Sequence, residues 1–130
     1  MKKILILDDE KVLCAAFAAY FEDRLWEPIQ AGSAEEALKL LETETPDAAL
    51  VDLRLPDMNG DDFVRQACLI KPKLAFIICT GSPDYVIPSD LQERAQVCSQ
   101  PLRKPIARLA ELEGAFMQII AQIPGNSNEV

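Results

Sequence analysis

The chain has 130 residues, 49% of them hydrophobic and 26% charged, with a net charge of −8 and no histidine. That length suits one compact domain, and the negative balance disfavours direct binding to nucleic acid or to an anionic membrane. Without histidine there is no Ser-His-Asp triad, Cys-His dyad or histidine-zinc site, so any metal must be held by oxygen, which points to Mg²⁺ or Ca²⁺.

In chain order, Ile4–Leu7 reads as a short, continuously apolar strand that runs into Asp8, Asp9 and Glu10. Clustered carboxylates resist full ionisation, so three acids on a strand tip call for a positive partner. Residues 11–24 read as a helix, with Leu13, Phe17, Tyr20 and Phe21 on one side at helical spacing. Pro28–Ala31 is a weak strand, and Trp26 before it is expected to cap the sheet edge. Ser33-Ala34-Glu35-Glu36 is a capping box that starts a helix with Ala34, Ala37, Leu38 and Leu41 as its apolar stripe; Pro46 closes that segment. Ala48–Val51 is a second buried strand, and it ends in Asp52.

Leu53–Asn59 reads as a loop. Asn59 is placed to cap the next helix, in which Phe63, Ala67 and Ile70 face inward and which Lys71-Pro72 ends. Asp57, Asp61 and Asp62 read as solvated loop and first-turn acids. Leu74–Cys79 is the most strand-like run, and it ends in Thr80-Gly81. The pattern then blurs until Lys104-Pro105, after which residues 106–122 form a last helix with Leu109, Phe116, Ile120 and Ile123 on one face. Residues 124–130 read as a polar tail after a domain spanning 1–123. The cysteines at 14, 68, 79 and 98 form no C-x-x-C pair and read as buried reduced thiols.

Short apolar strands alternating with helices predict a parallel sheet covered on both faces. Such sheets place their sites at the carboxyl ends of strands. Those ends carry Asp8, Asp9 and Glu10, then Asp52, then Thr80, and finally Lys104. The carboxylates are hard oxygen ligands suited to Mg²⁺. A carboxylate can also take up a phosphoryl group, with a lysine and a hydroxyl near by to stabilise its oxygens. The basic start Met1-Lys2-Lys3 is followed by only four apolar residues, against the roughly 7–15 of a secretory signal. No run approaches the roughly 20 apolar residues of a membrane span. A cytoplasmic protein with no membrane partner is expected.

The set "LDDE", "VDLRLPDMNG", "IICTGS" and "RKP" resembles the receiver domain of two-component response regulators, over roughly residues 2–123. The resemblance implies a flavodoxin-like, doubly wound α/β fold with five parallel strands in the order 2-1-3-4-5. It implies Asp52 as phosphoacceptor and Thr80 and Lys104 as its helpers. It also implies a Mg²⁺ site of Asp9, Asp52 and the Arg54 carbonyl, with Asp8 acting mainly through water. Pro56 and Asn59-Gly60 match the family's loop, and Lys104-Pro105 matches its cis peptide. The implied donor is a phosphohistidine on a sensor histidine kinase or phosphotransfer protein, and the implied readout is a face formed by the fourth helix, fifth strand and fifth helix. The domain would be a signalling module rather than an enzyme, and neither the kinase nor the output partner can be read from it.

Two other readings use similar residues. A haloacid-dehalogenase-type phosphatase would carry D-x-D-x-T after the first strand, where this chain has Asp8-Asp9-Glu10-Lys11, and there is no room for a cap domain. A pseudo-receiver would have lost Asp52, Lys104 or the acidic pair, and none is lost. The sequence does depart from the family before Lys104: the usual aromatic position three residues earlier is Pro101. Pro83 and Pro88 also interrupt the segment after Thr80. The expectation is a loop over 81–87, a short fourth helix over 89–94, and a short fifth strand near 100–103 that contains Pro101. The 81–87 loop then becomes the candidate two-state element.

Overall fold

The computed structural model describes residues 1–104 and 109–123. Five apolar runs became the sheet: β1 (Lys3–Leu7), β2 (Glu27–Ala31), β3 (Ala48–Asp52), β4 (Ala75–Thr80), and an outer position shared by β5 (Gln96–Val97) and β6 (Leu102–Arg103). All pairings are parallel. The order is β2-β1-β3-β4, with β5 and β6 both on the free edge of β4. This is the expected 2-1-3-4-5 order with its last strand in two pieces. Helices α1 (Lys11–Asp23), α2 (Ala34–Thr43), α3 (Gly60–Ile70), α4 (Ser89–Arg94) and α5 (Leu112–Ala121) cover it.

Parallel strands buried on both faces need no alternation of polar residues, which is why β3 and β4 are apolar almost throughout. Side chains alternate between two cores. Ile4, Ile6, Leu50 and Ile77 meet Phe17, Phe21 and Phe116 of α1 and α5. Leu5, Leu7, Val51 and Ile78 meet Leu41, Phe63 and Leu91 of α2, α3 and α4. No helix among the described residues is long and apolar enough to cross a membrane.

The capping box at α2 forms with a one-residue offset. Ser33 Oγ accepts from the Glu36 amide (3.2 Å), while Glu36 accepts from Gly32 rather than from Ser33 (2.9 Å). The fourth helix is short and starts directly after the two prolines, with Pro88 at its N-cap position. The segment from Gly81 to Ile87 holds no helix or strand.

Several expectations are corrected. The fifth strand is not one segment around Pro101. β5 pairs at Phe76↔Val97 and β6 at Cys79↔Leu102, so four edge residues, 98–101, bulge out opposite only Ile77 and Ile78. Proline offers no N–H to a ladder, and Pro101 lies in that bulge, outside both pieces. Ile70 is 47% exposed rather than core, at the last position of α3. Asn59 occupies the α3 N-cap position without a side-chain cap bond. Trp26 does not cap an edge: it is buried against Phe21, and its Nε1 donates to Glu113 (2.6 Å). Cys14 and Cys79 are buried and Cys68 and Cys98 half-buried, all as free thiols. Among the described residues, a 3₁₀ turn at Leu109–Glu111 precedes α5. The Lys104-Pro105 peptide, the first residues of the last predicted helix and the 124–130 tail lie outside the described residues.

Candidate functional site

Three strand ends and one edge strand deliver polar groups to one edge of the sheet. Asp8 follows β1, Asp52 ends β3, Thr80 ends β4 and Lys104 follows β6. Asp8 is 4% exposed, Asp52 7% and Thr80 2%, while Asp9 and Glu10 face solvent. Asp8 also caps the turn into α1, its Oδ1 accepting from the Glu10 amide (2.9 Å).

Lys104 supplies the positive charge that the acids at the end of β1 call for. Its Nζ donates to Asp8 Oδ2 (3.2 Å) and lies 3.4 Å from Asp52 Oδ1 and 3.6 Å from Glu10 Oε1. The edge strand fixes this reach, because the Lys104 amide donates to the Thr80 carbonyl (2.8 Å). Burial would lower the Lys104 pKa, but Asp52 and Asp8 outweigh it and raise it. Burial holds Asp52 above its ordinary carboxylate value; the Asp8 charge adds to this and Lys104 opposes it. Cys79, beside Asp52 in the β3–β4 register, is pushed up to about 12 by burial and is not a reactive thiolate at neutral pH.

One carboxylate oxygen from each of Asp8, Asp9 and Asp52 lies within 4.8 Å of the other two. That is a hard, anionic donor set of the kind Mg²⁺ takes. One lysine balances only part of its charge. The Arg54 amide donates to Asp52 Oδ1 (3.4 Å), and Arg54 bridges Asn59 across the following loop. Gly60 closes that loop, with its N–H donating to the Leu53 carbonyl (2.6 Å). A Cβ there would lie 2.4 Å from the Asp52 carbonyl oxygen and 2.9 Å from Leu53 Cα, so only glycine permits this approach.

Of the residues expected from sequence, Asp8, Asp9 and Asp52 form one cluster with Lys104 against Asp8 and Asp52, and Thr80 ends the strand paired with that of Asp52. Glu10 joins the Lys104 cluster, as the acid-rich strand end suggested. Two supporting residues were not anticipated. Asp57, read as a solvated acid, accepts from the Ala34 and Glu35 amides at the start of α2 (3.0 and 2.9 Å). Arg103 donates to the Ser82 and Tyr85 carbonyls (2.5 and 3.0 Å). Nothing local marks these roles, since the partners lie about twenty residues away in sequence. An apolar hollow of about 520 Å³ lies elsewhere, between residues 98–102 and α5, and contains none of these groups.

The sequence profile of the response regulator receiver domain matches residues 4–111. The alkaline phosphatase synthesis transcriptional regulatory protein PhoP of Bacillus subtilis is 39% identical over 77 residues, 59% of this chain and 31% of that protein. The alginate biosynthesis transcriptional regulatory protein AlgB of Pseudomonas putida is 31% identical over 129 residues, covering 86% of this chain and 29% of its own length. Among solved structures, a response regulator receiver domain protein from Clostridium thermocellum superposes with a TM-score of 0.78 at 30% identity, covering 92% of this chain and 94% of that one. The chain spans about a third of the length of the two curated relatives.

Proposed function

The chain belongs to the response regulator receiver domain family, and from that premise we propose that Asp52 accepts a phosphoryl group from a phosphohistidine of a sensor histidine kinase or phosphotransfer protein. The observation that carries this is the buried Asp52 carboxylate paired with Lys104 Nζ at 3.4 Å, beside Asp8 and Asp9. The chain has no histidine, so in such a relay it is the aspartate partner and not the phosphohistidine one. Residues 1–123 form the receiver, and it works in the cytoplasm.

A carboxylate oxygen of Asp52 attacks phosphorus as the P–N bond to the donor imidazole breaks. The bonding pair returns to that nitrogen, and the ring leaves neutral because its other nitrogen keeps a proton. Asp8, Asp9, Asp52 and the Arg54 carbonyl would hold Mg²⁺, which when bound neutralises charge on the transferring phosphoryl oxygens. Lys104, already paired with Asp52, follows the negative charge onto the phosphoryl group. Thr80 donates its hydroxyl to a phosphoryl oxygen.

The response then passes to the face made by α4, the β5–β6 edge and α5. An output domain or a separate protein reads that face; PhoP and AlgB are both named transcriptional regulatory proteins and extend well beyond the matched region. The test is intact mass after incubation with acetyl phosphate and Mg²⁺. One phosphoryl adduct in the wild type and none in Asp52→Asn supports the reading. Repeated turnover of phosphate esters, or no adduct at all, contradicts it.

A further inference from the structure

Thr80 and Arg103 are register partners across β4 and β6. The Arg103 guanidinium does not pair with a carboxylate among the described residues; its Nη1 and Nη2 donate to the carbonyls of Ser82 and Tyr85. The N–H of the same Ser82 donates to Thr80 Oγ1 (3.0 Å). Ser82 is therefore held from both sides, its carbonyl by Arg103 and its amide by Thr80. A threonine hydroxyl that accepts from Ser82 keeps its own proton available to donate elsewhere. Thr80 is buried, so its hydroxyl has few competing solvent partners.

We propose that Arg103 is a positioning residue: by fixing the Ser82 peptide, it sets the Thr80 hydroxyl to donate toward a phosphoryl group on Asp52. The inference rests on the phosphoacceptor reading above. Little else holds the segment. Among the described residues, no main-chain hydrogen bond ties residues 81–87 to another part of the molecule. The Tyr85 hydroxyl is buried with no hydrogen-bond partner there. Its ring packs on the α2–α3–α4 core, so apolar contact and the Arg103 fork share the task. A fork that spans two carbonyls at once needs the planar guanidinium; an ammonium presents a single charged point.

The experiment is binding of beryllofluoride at saturating Mg²⁺, a phosphoryl mimic, followed by ¹⁹F NMR. Arg103→Ala should weaken mimic affinity about three- to tenfold, the net scale of one ordinary hydrogen bond, while Mg²⁺ affinity stays at the wild-type value. Arg103→Lys should fall between the two. In a Thr80→Ala background the Arg103→Ala change should cost nothing further, because the path runs through Thr80. A purely structural role would instead lower thermal stability and Mg²⁺ affinity together, or give losses that add, and either result overturns the proposal. Should Arg103→Ala fail to fold, the Lys variant and its combination with Thr80→Ala carry the same test. Wild-type protein that does not bind the mimic overturns the phosphoacceptor reading itself; normal wild-type binding with unchanged Arg103 variants overturns this inference alone.

Discussion

Two loops border Asp52, and they are held in opposite ways. The loop of residues 53–59 is built in: Leu53 and Gly60 close it by main-chain hydrogen bonds, and Asp57 fastens it to the α2 N-terminus. The loop of residues 81–87 is held on: one exposed arginine, one bond to Thr80, one contact from Gln92 to the Ile87 carbonyl (3.1 Å), and the burial of Ile87. Regions with few buried contacts and solvent-exposed hydrogen bonds open at low free-energy cost. The fixed loop suits holding ligands, and the loosely held one suits responding to them. Four substitutions can sharpen or break this contrast.

The largest effect is expected at Gly60. A methyl there collides with the Asp52 and Leu53 backbone, which cannot rotate away. Gly60→Ala should cost about 3 kcal/mol or more in urea denaturation, in the range of overpacked and strained sites. A cost under about 1 kcal/mol would show that the 53–59 loop is more compliant than its geometry implies.

Asp57→Ala comes next, at about 1–2 kcal/mol, the scale of a side-chain oxygen that accepts from the free amides of a helix N-terminus. The Ala34 and Glu35 amides hold the Asp57 carboxyl below its ordinary value. A carboxyl depressed by folding stabilises above its unfolded pKa, and that stabilisation is lost as pH falls through the folded value. The difference between Asp57→Ala and wild type should therefore be full at neutral pH and vanish in acid. A difference that persists at low pH would mean that the capping bonds are not its source.

These two residues also mark what a sequence can and cannot show. The "NG" pair at Asn59-Gly60 is visible as a turn, but the collision that demands glycine comes from the Asp52 main chain. Asp57 looks like any loop acid, because its partners lie at the start of another helix. Local rules did better where the cause is local. Pro83 and Pro88 forecast the 81–87 loop and a fourth helix at Ser89–Arg94, as found. Apolar runs ending in acids, Thr80 and Lys104 forecast a parallel sheet with a clustered edge, and the resemblance supplied the strand order. The divided last strand was not legible, since two-residue strands carry no periodicity to read.

Arg103→Ala should be smaller still in stability, under about 1 kcal/mol, because its bonds are exposed. Yet it should speed amide exchange within residues 81–87 while leaving 53–59 at the wild-type rate. Equal acceleration in both loops would erase the contrast.

The smallest change is expected at Asp52, with its sign inverted. Burial raises its folded pKa, so the folded state holds the proton to higher pH than the unfolded chain. Stability from this group is present in acid and lost as pH rises through the window above the ordinary carboxylate value. Metal-free Asp52→Asn should therefore melt slightly higher than wild type at neutral pH. Saturating Mg²⁺ should reverse the order, because only the wild type keeps the ligand. Lower stability of the metal-free variant would show that the Lys104 pair outweighs burial.

Hydrogen exchange with and without Mg²⁺ and beryllofluoride, in wild type and Asp52→Asn, tests the central claim most directly. The account predicts that the mimic changes protection in residues 81–94 of the wild type, that residues 53–59 respond to Mg²⁺ alone, and that Asp52→Asn shows no mimic-dependent change. A wild-type response confined to other segments, or the same response in Asp52→Asn, would contradict it.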